Sequence, residues 1–165
     1  DNEEAIWTID GPSTHLHKIR VEDGETVEVI ELEKVLSKNT DVDPMFLRRN
    51  FVAGEWLHDY LHINDVEQLS SSFSESFPGF DQDDLLLSFR SINEVLIFDS
   101  VTLDIKWWRV GEWSRQHDPD WQLDGSITVY DNQMRDNKKL NFSDDAMKFS
   151  RIIRIDPETY GVDVV

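Results

Sequence analysis

The chain has 165 residues, 39% of them hydrophobic and 11% aromatic, which is enough apolar material for one domain with a buried core. Its 34 acidic against 16 basic residues give a net charge of −18, which repels nucleic acid and anionic membrane surfaces and leaves cationic or neutral partners. With no cysteine, disulfides and thiolate metal chemistry are excluded, and no apolar run approaches the ~20 residues of a spanning helix.

The N-terminal Asp1-Asn2-Glu3-Glu4 has none of the features of a signal peptide. Ala5–Ile9, His15–Val21 and Thr26–Ile30, set around a Glu22-Asp23-Gly24 turn, read as the later strands of a sheet that begins earlier. Residues 31–47 carry Leu32, Val35 and Leu36 at helical spacing and read as a helical or loop excursion, as do the serine- and phenylalanine-rich residues 66–80. Within the latter, Phe73, Phe77 and Phe80 need somewhere to pack, so residues 70–83 are expected to form an ordered cap. Leu85–Phe89, Glu94–Phe98, Ser126–Tyr130 and Arg151–Ile155 are short and rich in β-branched, leucine and aromatic residues, as strands are. Asp99-Ser100, Asp124-Gly125, Asp131-Asn132 and Asp156-Pro157 supply tight turns beside them, so antiparallel meanders are predicted.

These strands repeat. His62–Val66, Asp84–Phe89 and Glu94–Asp99 parallel His117–Trp121, Gly125–Tyr130 and Ser150–Asp156, with offsets of 55 residues between the two histidines and 57 between Asp99 and Asp156. Repeats of roughly 40–50 residues with four short strands each are typical of propeller blades, and an insertion accounts for the longer period. The expected fold is all-β, a fragment of a β-propeller with two to three four-stranded blades. Residues 1–36 end one blade, 37–61 connect, 62–116 form a second blade with an insertion at 70–83, and 117–165 form a third. Blades pack face to face, so such a fragment leaves apolar faces uncovered, to be met by further blades or by a homo-oligomer partner.

Leu61–Val66, Leu87-Ser88-Phe89-Arg90, Arg115–Trp121 and Ile127–Asn132, in that order, resemble the PAPS-independent arylsulfate sulfotransferases, a family of six-bladed propellers. The resemblance runs from Trp56 to Asp156 and implies transfer of a sulfuryl group from a phenolic sulfate ester to a phenol, without a nucleotide or other cofactor. It implies His117 as the nucleophile that forms a sulfohistidine, with His62 and Arg90 binding the sulfonate and phenolic oxygens. A neutral imidazole suits nucleophilic attack, a guanidinium suits an oxygen-rich anion, and an imidazolium suits a departing phenolate. The absence of a glycine-rich phosphate loop agrees with a donor other than a nucleotide. Members of the family are often exported, which implies a periplasmic or extracellular location.

Each residue also has a plainer reading. His62 and His117 hold equivalent repeat positions and could both cap carbonyls between blades, and Arg90 could pair with an interblade carboxylate. Asn64 holds a loop or touches substrate, Asp118 or Asp120 fixes the tautomer of His117 or caps a turn, and Arg115 is a further oxygen-binding candidate. Trp113 and Trp121 flank His117 and either stack on an aryl ring or pack between blades. The run 131–137 hints at calcium ligands but lacks the glycine and closing glutamate of an EF-hand, and Asn141-Phe142-Ser143 fits a glycosylation acceptor. A further upstream histidine of the family has no counterpart here, and the longer 70–83 loop is expected to cap the site and alter its acceptor. The competing functions are a non-catalytic propeller that binds an anionic ligand or protein, and a hydrolase built on Asp118 and Asp120.

Overall fold

The computed structural model describes residues 4–10, 15–41, 61–133 and 149–165. They form three antiparallel sheets. The first contains β1 (Ala5–Ile9), β2 (His15–Arg20) and β3 (Thr26–Glu31), followed by the helix α1 (Leu32–Lys38). The second orders β4 (Ile63–Gln68), β5 (Leu85–Phe89), β6 (Glu94–Phe98) and β7 (Ile105–Val110). The third orders β8 (His117–Trp121), β9 (Ile127–Asp131), β10 (Arg151–Ile155) and β11 (Val162–Val164). Strands adjacent in sequence are adjacent in each sheet, and β4 contacts both β1 and β8, as the leading strands of successive blades do. The architecture is that of a propeller fragment.

Strand periodicity divides the middle sheet between two cores. Leu85, Leu87, Phe89, Leu96 and Phe98 face the first sheet, where they meet Leu16, Ile30 and the helix residues Leu32, Val35 and Leu36. Leu86, Val95, Ile97 and Trp107 face the third sheet and meet Val129, Ile127, Ile153 and Ile155. Because both faces are covered, β5 and β6 read as nearly continuous apolar runs, and each fully buried leucine contributes about 1.5–3 kcal/mol. The outer faces differ: Ile6, Val27 and Val29 of the first sheet and the cross-strand pair Tyr130 and Ile152 of the third are exposed.

The helical or loop excursion expected over 31–47 opens with a helix, Leu32–Lys38, which closes the first core, and its residues 42–47 lie outside the described residues. Asn39, at its C-cap, joins it to the second sheet: Nδ2 donates to the carbonyls of Val35 (2.6 Å) and Leu103 (2.8 Å), and Oδ1 accepts from the Ile105 N–H (3.0 Å).

Several expectations need correction. Residues 66–68 do not leave the sheet but complete β4, because Val66, Glu67 and Gln68 pair with Leu87, Leu86 and Leu85. The edge strands β7 and β11 carry no clear alternation, and the three residues of β11 are too few to show one. β1 contacts β4 as β4 contacts β8, so these three strands hold equivalent places in successive sheets. The 70–83 loop joins the end of β4 to the start of β5, a full strand length from His62 and Arg90, and so does not cap them. It docks instead on the β8–β9 turn, where Ser76 Oγ donates to the Leu123 carbonyl (2.7 Å). Residues 42–60, Trp56 among them, the later part of the calcium-like run and the Asn141-Phe142-Ser143 sequence lie outside the described residues.

That docking makes a prediction. Gly125 has φ +82°, and an added Cβ would lie 2.7 Å from the Ser76 carbonyl oxygen. Left-handed strain costs roughly 1–2 kcal/mol in a non-glycine residue and overpacking a further 1–3. Gly125→Ala is expected to lower the urea midpoint by an amount equivalent to about 2–4 kcal/mol with an unchanged slope; a loss of only about 1 kcal/mol would show that the loop yields and the left-handed strain alone remains.

Candidate functional site

In an antiparallel hairpin the start of one strand and the end of the next share an edge. His62 precedes β4, Arg90 follows β5 and His117 opens β8, so all three come to the same end of the sheets. Backbone contacts fix the first two: the Arg90 N–H donates to the His62 carbonyl at 3.1 Å and the Ser91 N–H to that of Leu61 at 3.2 Å. His62 (φ 47°) and Asp118 (φ 45°) adopt left-handed backbone, and the register slips between Ile63 and Asp65 and again between His117 and Asp120. Both leading strands thus carry an irregularity beside their histidine, a device that re-aims a side chain.

Asn64, at the slip in β4, reaches the next blade. Its Nδ2 donates to the Gln116 carbonyl at 2.8 Å and lies 2.8 Å from Nδ1 of His117. With one amide hydrogen directed to each, Nδ1 accepts, and the neutral ring carries its proton on Nε2. Burial, then the positive charge of Arg90 and of His62 when protonated, hold His117 below the ordinary imidazole range against the opposing pull of Asp118. These influences favour the neutral ring. Arg90 and His62 are near enough to His117 to act on its charge, and Asn64, not Asp118 or Asp120, meets Nδ1. The Nε of Arg90 is buried without a hydrogen-bond partner, and no carboxylate among the described residues forms an ion pair with it. A neutral imidazole beside an uncommitted guanidinium is equipped to attack, and to hold, an oxygen-rich anion.

The segment ahead of His117 is stitched in by residues that sequence reasoning did not single out. Gln116 is fully buried, and its amide reaches the carbonyls of Phe89 and Glu94. Asp131, also buried, accepts from the N–H groups of Ser114 and Gln133 and pairs with Arg151 at 2.8 Å. Asn93, in the turn after Arg90, accepts from the Arg115 N–H (2.8 Å). Glutamine and aspartate are ordinarily surface residues, so composition gives no signal for such buried anchors.

The remaining candidates lie apart. The Arg115 side chain is exposed, while its backbone carbonyl accepts from Asn132 at 2.6 Å. Trp113 is buried in the second core against Gly111. Trp121 sits at the far end of β8 from His117, packed edge-on against Phe77 (4.7 Å between centroids) and Phe80 (5.9 Å) under the 70–83 loop. Past the histidines, β4 and β8 bring Asp65, Glu67, Asp118 and Asp120 into mutual repulsion; burial, reinforced by those neighbours, pushes Asp65 up to about 7. Elsewhere Asp81, Asp84 and Asp99 are close enough to share a cation, and the Lys106 ammonium sits among them, 2.7 Å from Asp81 and 2.8 Å from Asp84. That network anchors the base of the loop.

A family model described as arylsulfotransferase (ASST) matches residues 2–165. No curated protein and no solved structure matches the chain. The match spans nearly every residue and includes all three sheets, so this chain belongs to the arylsulfotransferase (ASST) family.

Proposed function

We propose that the site transfers a sulfuryl group from an aryl sulfate to a phenol through a covalent intermediate on His117. The observation that carries this reading is the pairing of a ring kept neutral by its surroundings with a buried, unpartnered guanidinium nitrogen. In the first half-reaction Nε2 of His117 attacks sulfur as its proton passes in the same step to neutral His62, so no free imidazolate forms. The sulfur–aryl oxygen bond breaks, and the departing phenolate recovers that proton from His62. Arg90 stabilises the sulfonate oxygens as charge shifts from the reacting centre to the leaving oxygen. A second phenol then reverses the sequence, giving its proton to His62 as its oxygen attacks the sulfohistidine. Two such steps produce ping-pong kinetics.

The experiment is a single turnover with 4-nitrophenyl sulfate and no acceptor, quenched at alkaline pH, digested and mapped by mass. One SO3 on the peptide containing His117, formed together with a stoichiometric burst of nitrophenol, is the expected result. An adduct on another residue, or release without any adduct, would refute the covalent step. Binding of the donor without release would leave an anion-binding module.

A further inference from the structure

Three strand ends supply the site, and one buried residue, Gln116, ties them together through its side chain and its backbone carbonyl. The Gln116 amide nitrogen lies 2.8 Å from the Glu94 carbonyl, 3.1 Å from that of Phe89 and 3.2 Å from Ser88 Oγ. Phe89 directly precedes Arg90, and Glu94 closes the same turn, so these bonds grip the base of the turn that carries the guanidinium. The backbone carbonyl of the same residue accepts from Asn64, whose nitrogen also meets His117 Nδ1. Phe89 and Glu94 are already cross-strand partners, so the second sheet does not need Gln116 to pair. What the amide adds is a fixed spacing between that sheet's Arg90 turn and the first residue of the third sheet. The side chain is also an expensive filler for a dry position, since its Oε1 meets no donor among the described residues.

We propose that Gln116 is a positioning residue that holds His117 in register with Arg90 and Asn64. The kinetic part rests on the sulfuryl transfer proposed above; the geometric part does not. The test uses the full chain labelled with 15N-histidine, with the His117 resonances assigned by loss in His117→Gln. Gln116→Met keeps the length and apolar volume of the side chain and removes its hydrogen bonds. His117 is then expected to titrate higher, towards the ordinary value of about 6.5, with a displaced Nδ1 shift. For 4-nitrophenyl sulfate, kcat is expected to fall roughly 10–100-fold with KM little changed, the usual effect of an ångström-scale misplacement.

A folded Gln116→Met protein whose His117 titrates as in the wild type overturns the proposal. So does one whose titration moves while kcat stays the same. If the wild type shows no turnover, the titration alone decides, and the two failures remain distinct. Should Gln116→Met not fold, Gln116→Asn retains the amide one methylene short; a smaller shift of the His117 signals in the same direction supports the proposal, and unmoved signals overturn it.

Discussion

His117→Ala is expected to lower kcat for 4-nitrophenyl sulfate by roughly 10^4-fold or more, as loss of a covalent nucleophile does in other enzymes. Without the ring no nitrogen can accept sulfur, and the remaining groups bind the anion but cannot divide its transfer into two steps. Donor binding should survive, because Arg90 and His62 remain, so a fluorescence or calorimetric titration separates lost chemistry from a lost fold. The wild-type pH profile gives an independent check. Attack needs the neutral ring, whose fraction rises with pH through the pKa of His117. Burial and the charges of Arg90 and His62 depress that pKa, so the acid limb of kcat/KM should lie below the ordinary value of about 6.5. Turnover that persists in His117→Ala would exclude this histidine as the nucleophile, whereas a limb at or above 6.5 would mean that another group, such as His62 in its base role, sets it.

The parts of the fold that were legible in the sequence are those where burial writes a strong pattern. β5, β6 and β10 have the expected bounds because the two strands of the middle sheet are apolar on both faces and β10 alternates cleanly. α1 was visible because Leu32, Val35 and Leu36 enter the core from one side of a helix. β4 was cut short for the opposite reason: Asp65, Glu67 and Gln68 are polar, although their backbone pairs throughout with β5. Its polar side chains gather near the partners on β1 and β8, a circumstance that no local window contains. The 70–83 loop was expected over the histidines because chain order puts it between His62 and Arg90, yet hairpin geometry sends it to the other end of the strands.

The site was legible to the same extent. His62, Arg90 and His117 stood out because a repeat and an ordered set of family words marked them, and Asn64 because it follows His62 within one of those words. The sequence did not show that Asn64 would reach Nδ1 across the blade boundary, since that contact joins residues 53 positions apart. Gln116 and the Asp131–Arg151 pair were hidden more completely. Residue type places them at the surface, and only the packing of this segment buries Gln116 and Asp131.

Arg90→Lys and Arg90→Met are expected to separate the charge of the guanidinium from its shape. A lysine keeps the positive charge that depresses His117, so the titration of that ring should stay low in Arg90→Lys. It cannot offer two fixed N–H groups to two sulfonate oxygens, and Arg90 Nε, buried and without a partner, is placed for such paired donation. Loss of a donor aimed at transition-state charge costs roughly 10^2–10^3 in kcat, and Arg90→Lys should lose most of that despite its charge. Arg90→Met should lose at least as much and also release His117 towards its ordinary pKa, moving the acid limb upward. Histidine NMR and kcat measured on both variants give the comparison. If lysine supports wild-type transfer, a point charge suffices and the forked geometry is not used. If the His117 titration is unmoved in Arg90→Met, the guanidinium does not govern the ring, and the electrostatic link between the two groups is wrong.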